Sequence, residues 1–202
     1  MDTQEIFKSL RRQFAQTHVF TEEDFAKVIS FFSLHTLKKK DFFNRQDYYC
    51  RHLGYVYSGS LRALYTNNKG DEYTMYFAFA DAWVGDKTSF YSGRPSMFSI
   101  QALEDSILLC ADKPNWEKSI DTIPVFEKWY RSKARKTYED AQRKLIEWQT
   151  ETAEEKYVKL LNEAPAIVQR IPQHYIASYF GIKPQSLSRI RKNMLVANPD
   201  IS

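Results

Sequence analysis

Between Pro184 and Asn193 the sequence reads PQSLSRIRKN. Gln185, Ser186, Ser188 and Arg189 carry the donors and acceptors that read base edges. An arginine fork matches the two acceptors of guanine, glutamine pairs with adenine, and a serine hydroxyl serves either. Gln173, Lys183, Arg191 and Lys192 are suited to the phosphates around such a contact. From Ala164 to Pro199 there is no Asp or Glu, although the 202 residues together carry a net charge of only +4. An acid-free basic end suits a polyanion, because every carboxylate there would be repelled by phosphate.

Two short helices must position these side chains. Pro172 suits the first turn of one helix, whose inner face is Ile176, Ala177, Tyr179 and Phe180. Gly181 supplies a left-handed turn, and Pro184 opens a second helix with Leu187, Ile190 and Met194 facing inward. Ala177, four residues before the glycine, lets the helices approach closely. This is helix-turn-helix spacing, and it leaves Gln185, Ser186, Ser188, Arg189 and Lys192 on the outer face. The competing reading is a helical hairpin with a solvated basic face.

Upstream the pattern differs. Ile6, Leu10 and Phe14 mark a helix over 4–16, and Thr21 with Asp24 forms a capping box in FTEEDF. From Leu37 to Ala111 the period becomes two. GYVYSGSLRALYT alternates imperfectly, NNKGDE is a hairpin turn, EYTMYFAFA returns as its partner, and MFSIQALEDSILLCAD gives two further strands. The expected class is α+β, with an antiparallel barrel or sandwich over 1–115 together with its N-terminal helices. The next segment, 116–150, contains a long helix from about Pro124 to Thr150. Its stripe is Phe126, Tyr130, Ala134, Tyr138, Ala141 and Leu145, followed by Trp148. At 1.5 Å per residue it would run roughly 40 Å, long enough to pair with a second helix in a dimer. The alternative is that it lies across the barrel. The last segment, 151–202, opens on a helix capped by Thr152 and Glu155, with Tyr157, Leu160 and Leu161 inward and Pro165 as its stop.

Other classes find little support. Cys50 and Cys110 are isolated, too few for a four-cysteine zinc site or an iron–sulfur cluster. Between Leu37 and Ala111 the only histidine is His52, so the clustered His/Glu set of a cupin-type metalloenzyme is missing, and no nucleophile–base pair is evident. Neither catalysis nor a cofactor is expected. No apolar run approaches a membrane span, and the first residues, MDTQEIFKSLRRQF, lack a signal peptide's apolar stretch, so a cytoplasmic protein is expected. Tyr76, Phe79, Trp83, Phe90, Tyr91 and Phe98 either line an apolar pocket or fill the barrel. A small-molecule-binding signalling module, with a non-DNA partner for its basic end, is the alternative function.

Taken together, the chain resembles the Crp/Fnr family of bacterial transcription regulators. LKKKDFFNRQD looks like that family's first barrel strand and turn, with Lys40 where Gly is more usual. LGYVYSGSLRALYTNNKGDEYTMYFAFADAWVGD is similar to its next strands, and SLSRIRK to its recognition helix. The resemblance implies a jelly-roll barrel of the cyclic-nucleotide-binding type, a dimerisation helix and a C-terminal winged helix. The wing is reduced to LVANPDIS. It also implies a homodimer on a palindromic duplex operator, with RNA polymerase as a candidate partner and a small-molecule effector as another. Arg189 matches the family's base-reading arginine, and Gln185 replaces a frequent Glu. Cyclic-AMP-binding members pair Gly-Glu with an Arg-Ser or Arg-Thr about a dozen residues later. Here Gly85-Asp86 stands in for the first pair, and the second position holds Ser96 and Met97. Arg94 comes two residues early, ahead of Pro95. A buried phosphate without a cation costs several kcal/mol in principle, so cyclic AMP is not the expected effector. The cluster cysteines of oxygen-sensing members are missing, and His18, His35 and His52 sit in no haem motif.

Overall fold

The computed structural model describes residues 3–163 and 165–197, without the side chains of 163, 166–168 and 195–197. The chain opens with α1 (Thr3–Ala15) and α2 (Glu22–Ile29). Ile6, Leu10 and Phe14 of α1 are fully buried, as their spacing requires. The capping box at α2 is formed: the Thr21 hydroxyl accepts from Asp24 N at 3.0 Å, and the Asp24 carboxylate accepts from Thr21 N at 3.2 Å.

The β domain follows as β1 (Ser33–Leu37), β2 (Phe42–Asn44), β3 (His52–Ser58), β4 (Leu61–Thr66), β5 (Glu72–Ala78) and β6 (Trp83–Val84), then helix α3 (Lys87–Ser92), β7 (Ser99–Ala102) and β8 (Ser106–Asp112). The strands make two four-stranded antiparallel sheets, ordered β1-β8-β3-β6 and β2-β7-β4-β5. Val56, Val84, Leu108 and Cys110 of the first meet Leu61, Ala63, Ala78 and Ile100 of the second. The barrel is thus two facing sheets rather than one closed ring.

The stretch GYVYSGSLRALYT is two strands in different sheets, broken at Gly59. That residue has φ +97°, and a Cβ there would lie 2.2 Å from Ser106 Oγ, so only glycine fits. The NNKGDE turn is as expected: Asn67 Oδ1 accepts from Lys69 N and Asp71 N, and Gly70 has φ +85°. Lys40, where the resembled family favours glycine, has φ +76° in the β1–β2 turn and is exposed. Left-handed backbone costs a non-glycine residue about 1–2 kcal/mol. Lys40→Gly should therefore raise the unfolding free energy by roughly 1 kcal/mol, read as a higher urea midpoint.

The long helix expected from about Pro124 to Thr150 is present at those bounds, and the start of segment 116–150 belongs to a separate helix ahead of it. α4 (Lys113–Thr122) is capped by Asp112, which accepts from Asn115 N at 3.0 Å. Extended Ile123 separates it from α5 (Pro124–Thr150). Early in α5, Phe126 and Trp129 are buried against α1, with the Trp129 ring 4.5 Å from that of Phe14. Further along, Tyr138 and Leu145 are 64% and 63% exposed. The helix lies across the β domain with its first half and leaves it with its second.

The C-terminal unit contains α6 (Ala153–Glu163), α7 (Pro165–Arg170), α8 (Gln173–Tyr179) and α9 (Pro184–Ala197). Thr152 and Glu155 cap α6 as expected. α6 ends at Glu163, ahead of the expected stop at Pro165, and Pro165 itself opens the short helix α7, since proline is tolerated in a first turn. Tyr157, Ile171, Ile176, Ala177, Phe180 and Leu187 form the core of this unit. It packs against β5, the end strand of its sheet: the Ser178 hydroxyl accepts from Thr74 N and donates to Glu72 O, both at 2.9 Å. The buried Arg62 guanidinium, paired with Glu72 at 2.5 Å, lies 3.8 Å from the Tyr175 ring centroid. Of the stretch expected to be a reduced wing, Leu195–Ala197 continue α9, and 198–202 lie outside the described residues.

Candidate nucleic-acid interface and ligand cleft

The turn between α8 and α9 is built as its sequence requires. Gly181 has φ +67°, and Ile182 N returns to Ala177 O at 3.0 Å. Leu187 is fully buried, with Ile190 and Met194 half-buried beside it. This orientation exposes Gln185, Ser188, Arg189 and Lys192, while Ser186 and Arg191 are half-exposed. Spacings of four and three place Gln185, Arg189 and Lys192 on one face of α9. Gln173 and Lys183 are exposed at and near the start of the two helices. Among the described residues, none of Lys183, Arg189, Arg191 and Lys192 has a side-chain hydrogen bond or ion pair, so their charges are uncommitted.

The second feature is a cleft of about 710 Å³ between the β6–α3 segment and α5. Tyr76, Trp83 and Phe98 line it, as do Trp129 and Tyr130 of α5. Of the other aromatics considered, Phe90 is inside the helix-side core and Phe79 packs on the C-terminal unit. Tyr91 donates to Tyr130 Oη at 2.7 Å.

Gly85 and Asp86 sit in the cleft wall. Gly85 has φ +136°, and a Cβ there would meet Leu53 Cδ2 at 2.6 Å. Asp86 is 2% exposed, and the fold uses both its oxygens. Oδ1 accepts from Ser89 N at 3.1 Å, capping α3. Oδ2 accepts from Ser96 Oγ at 2.8 Å and Met97 N at 3.1 Å. Asn44 Nδ2 donates to Ser96 Oγ from behind at 2.7 Å. Ser96 is therefore a buried brace. Arg94 and Met97 are exposed, and neither lines the cleft. The structure brings Gly85, Asp86 and Ser96 together and leaves the Arg94 side chain outside.

The cleft's cations come from elsewhere. Lys87 of α3 and Lys133 and Lys136 of α5 line it, and the sequence reading singled out none of them. Burial, then the neighbouring Lys133, hold Lys87 below the usual lysine range. Burial, then Lys136, do the same for Lys133, against a smaller opposite pull from Asp81. Tyr76 is held well above the usual tyrosine range, by burial first and then by Asp86. The signal in the sequence was the i, i+3 and i+4 run Trp129, Tyr130, Lys133, Lys136, Thr137, Asp140, Ala141, which is one α5 face.

Residues 34–122 match the model of the cyclic nucleotide-binding domain. No curated protein matches the sequence. Among solved structures, the chain is similar to CLP, the c-di-GMP responsive global regulator of Xanthomonas campestris (TM-score 0.71, 13% identity, covering 88% of this chain and 93% of that one). It is also similar to a protein from Eubacterium rectale described as a transcriptional regulator of the Crp/Fnr family (TM-score 0.69, 15% identity, 88% and 85% covered). The catabolite activator protein of Thermus thermophilus matches over 90% of this chain and 86% of its own, with TM-score 0.57 and 19% identity. Among the described residues no helix is long and apolar enough to cross a membrane. Residues 34–122 thus match a cyclic nucleotide-binding domain, and the chain has the fold seen in transcription regulators of the Crp/Fnr type.

Proposed function

We propose that the chain is a homodimeric, sequence-specific DNA-binding regulator that does not answer to cyclic AMP. The observation that carries the reading is the outer face of α9, where Gln185, Ser188, Arg189 and Lys192 stand exposed, with both cations unpaired among the described residues, in a stretch without a carboxylate. In this role Gln185, Ser186, Ser188 and Arg189 read bases, while Gln173, Lys183, Arg191 and Lys192 hold phosphates. The exposed Tyr138 and Leu145, with Ala141 between them, supply the self-pairing surface of α5. Two copies would then meet half-sites about 34 Å apart, one helical turn of duplex. Against cyclic AMP stand the full internal use of Asp86 and the position of Arg94, outside the cleft lining.

Affinity selection of random duplex DNA by the purified chain, without added ligand, tests this. The expected result is an enriched palindrome bound by two copies of the 23.9 kDa chain, with affinity falling steeply as salt rises and unchanged by cyclic AMP. Enrichment of a single asymmetric site would refute the dimer. A gain in affinity on adding cyclic AMP would refute the effector reading.

A further inference from the structure

The four histidines of the chain are scattered along the sequence, and His35 and His52 belong to no motif. The fold joins those two. Ser33, Cys110 and Gly54 form one row across β1, β8 and β3. His35 lies two residues after Ser33 and His52 two before Gly54, so the alternation along a strand puts both on the face that carries Cys110. Their ring centroids are 5.0 Å apart. That separation suits two imidazoles on one ion. Metal–nitrogen bonds of about 2.0–2.1 Å at a near-tetrahedral angle put the centroids about 5 Å apart.

His35 also makes the kind of hydrogen bond that fixes a ligand's tautomer. The Ser33 hydroxyl donates to Cys110 O at 3.3 Å, which leaves its oxygen to accept from His35 Nε2 at 3.1 Å. The proton then sits on Nε2, and the bare lone pair is on Nδ1. An outer partner of this kind orients a histidine toward a metal. His52 has no side-chain hydrogen bond among the described residues, so neither of its nitrogens is committed. Both rings are half-buried, within reach of solvent, and the charged neighbours of His52 are Arg51 and Asp112, of opposite sign. Among the described residues no cluster of three His, Cys, Asp or Glu side chains forms, so the pair stands without a third protein ligand.

We propose that His35 and His52 bind a divalent transition-metal ion of the zinc, nickel or copper type, His35 through Nδ1, with water completing the coordination. Imidazole suits these ions, whereas magnesium and calcium prefer oxygen ligands. An ion held there ties β1, the end strand of its sheet, to β3 across β8. The site goes beyond the proposed DNA-binding role and does not rest on it.

Calorimetric titration of the untagged full chain with zinc chloride, and separately with magnesium chloride, tests this. The expected result is saturable zinc binding and no magnesium binding. His35→Gln and His52→Gln keep most of the side-chain bulk, and each should raise the zinc dissociation constant by about tenfold or more. The double variant His18→Gln/His174→Gln, which removes the other two histidines, should leave it unchanged. A second readout uses the unaltered protein. Zinc should protect His35 and His52, and not His18 or His174, from modification by diethyl pyrocarbonate, read by peptide mass spectrometry. Absence of zinc binding would mean that the two rings only pack together. Binding that survives both single variants, or that protects His18 or His174 in place of the pair, would put the ion elsewhere. Magnesium bound as tightly as zinc would remove the imidazole ligands. Each of these results overturns the proposal.

Discussion

Asp86→Ala lowers the unfolding free energy of the ligand-free chain by about 2–4 kcal/mol, the sum of a lost helix cap and orphaned buried donors. For a chain of this size that is a thermal midpoint roughly 10 °C lower. The argument rests on what the carboxylate touches. It caps α3 through Ser89 N, and it receives the Ser96 hydroxyl and Met97 N while 2% exposed. Alanine removes the cap and takes the acceptor away from both donors. A carboxylate kept for a ligand's hydroxyl would behave in the opposite way. Its removal from the empty protein would be neutral or stabilising, since an unpaired buried charge is a liability. A urea titration without ligand separates the two. An unchanged midpoint would mean that Asp86 faces the cleft rather than the fold.

Arg189→Ala weakens binding to the selected duplex by about 1–3 kcal/mol per half-site and relaxes the choice at one base pair. Arg189 is exposed on α9, has no partner among the described residues, and shares its face with Gln185 and Lys192. A fork with no intramolecular acid to leave binds a guanine edge at no internal loss. Lys192→Ala is the control. A phosphate contact removed lowers affinity about equally across sequences and reduces the salt slope by about one. Competition between the selected duplex and single-base variants gives both numbers. Equal discrimination by the Arg189 variant and the parent would remove Arg189 from the base-reading set.

The parts legible in the sequence were those set by neighbours along the chain. Thr21 with Asp24, Thr152 with Glu155, the Asn67–Asp71 turn and the Gly181–Pro184 junction each fix a local geometry within five residues. What was missed depended on distant partners. The alternation through β3 looked imperfect because that sheet is buried on both faces: Tyr55 meets the helices and Val56 meets the opposing sheet. α4 has little apolar pattern of its own and is held by Trp116, which stacks edge-on to Phe32, Trp83 and Phe126. α3 hid behind Asp86, which resembled a ligand group and is the helix cap. Lys87 lies far from Lys133 and Lys136 in the sequence, and only the packing of α5 across the β domain brings the three into one lining.

The seating of α8 on β5 has a consequence for solubility. β5 ends its sheet, so its outer backbone groups have no strand to pair with, and Ser178 occupies two of them. A chain cut after Thr150 would carry a bare seven-residue edge bearing Tyr73 and Met75, both already partly exposed. Such an edge is a template for another strand, and a truncated sensor domain should self-associate through it unless a charge is placed there.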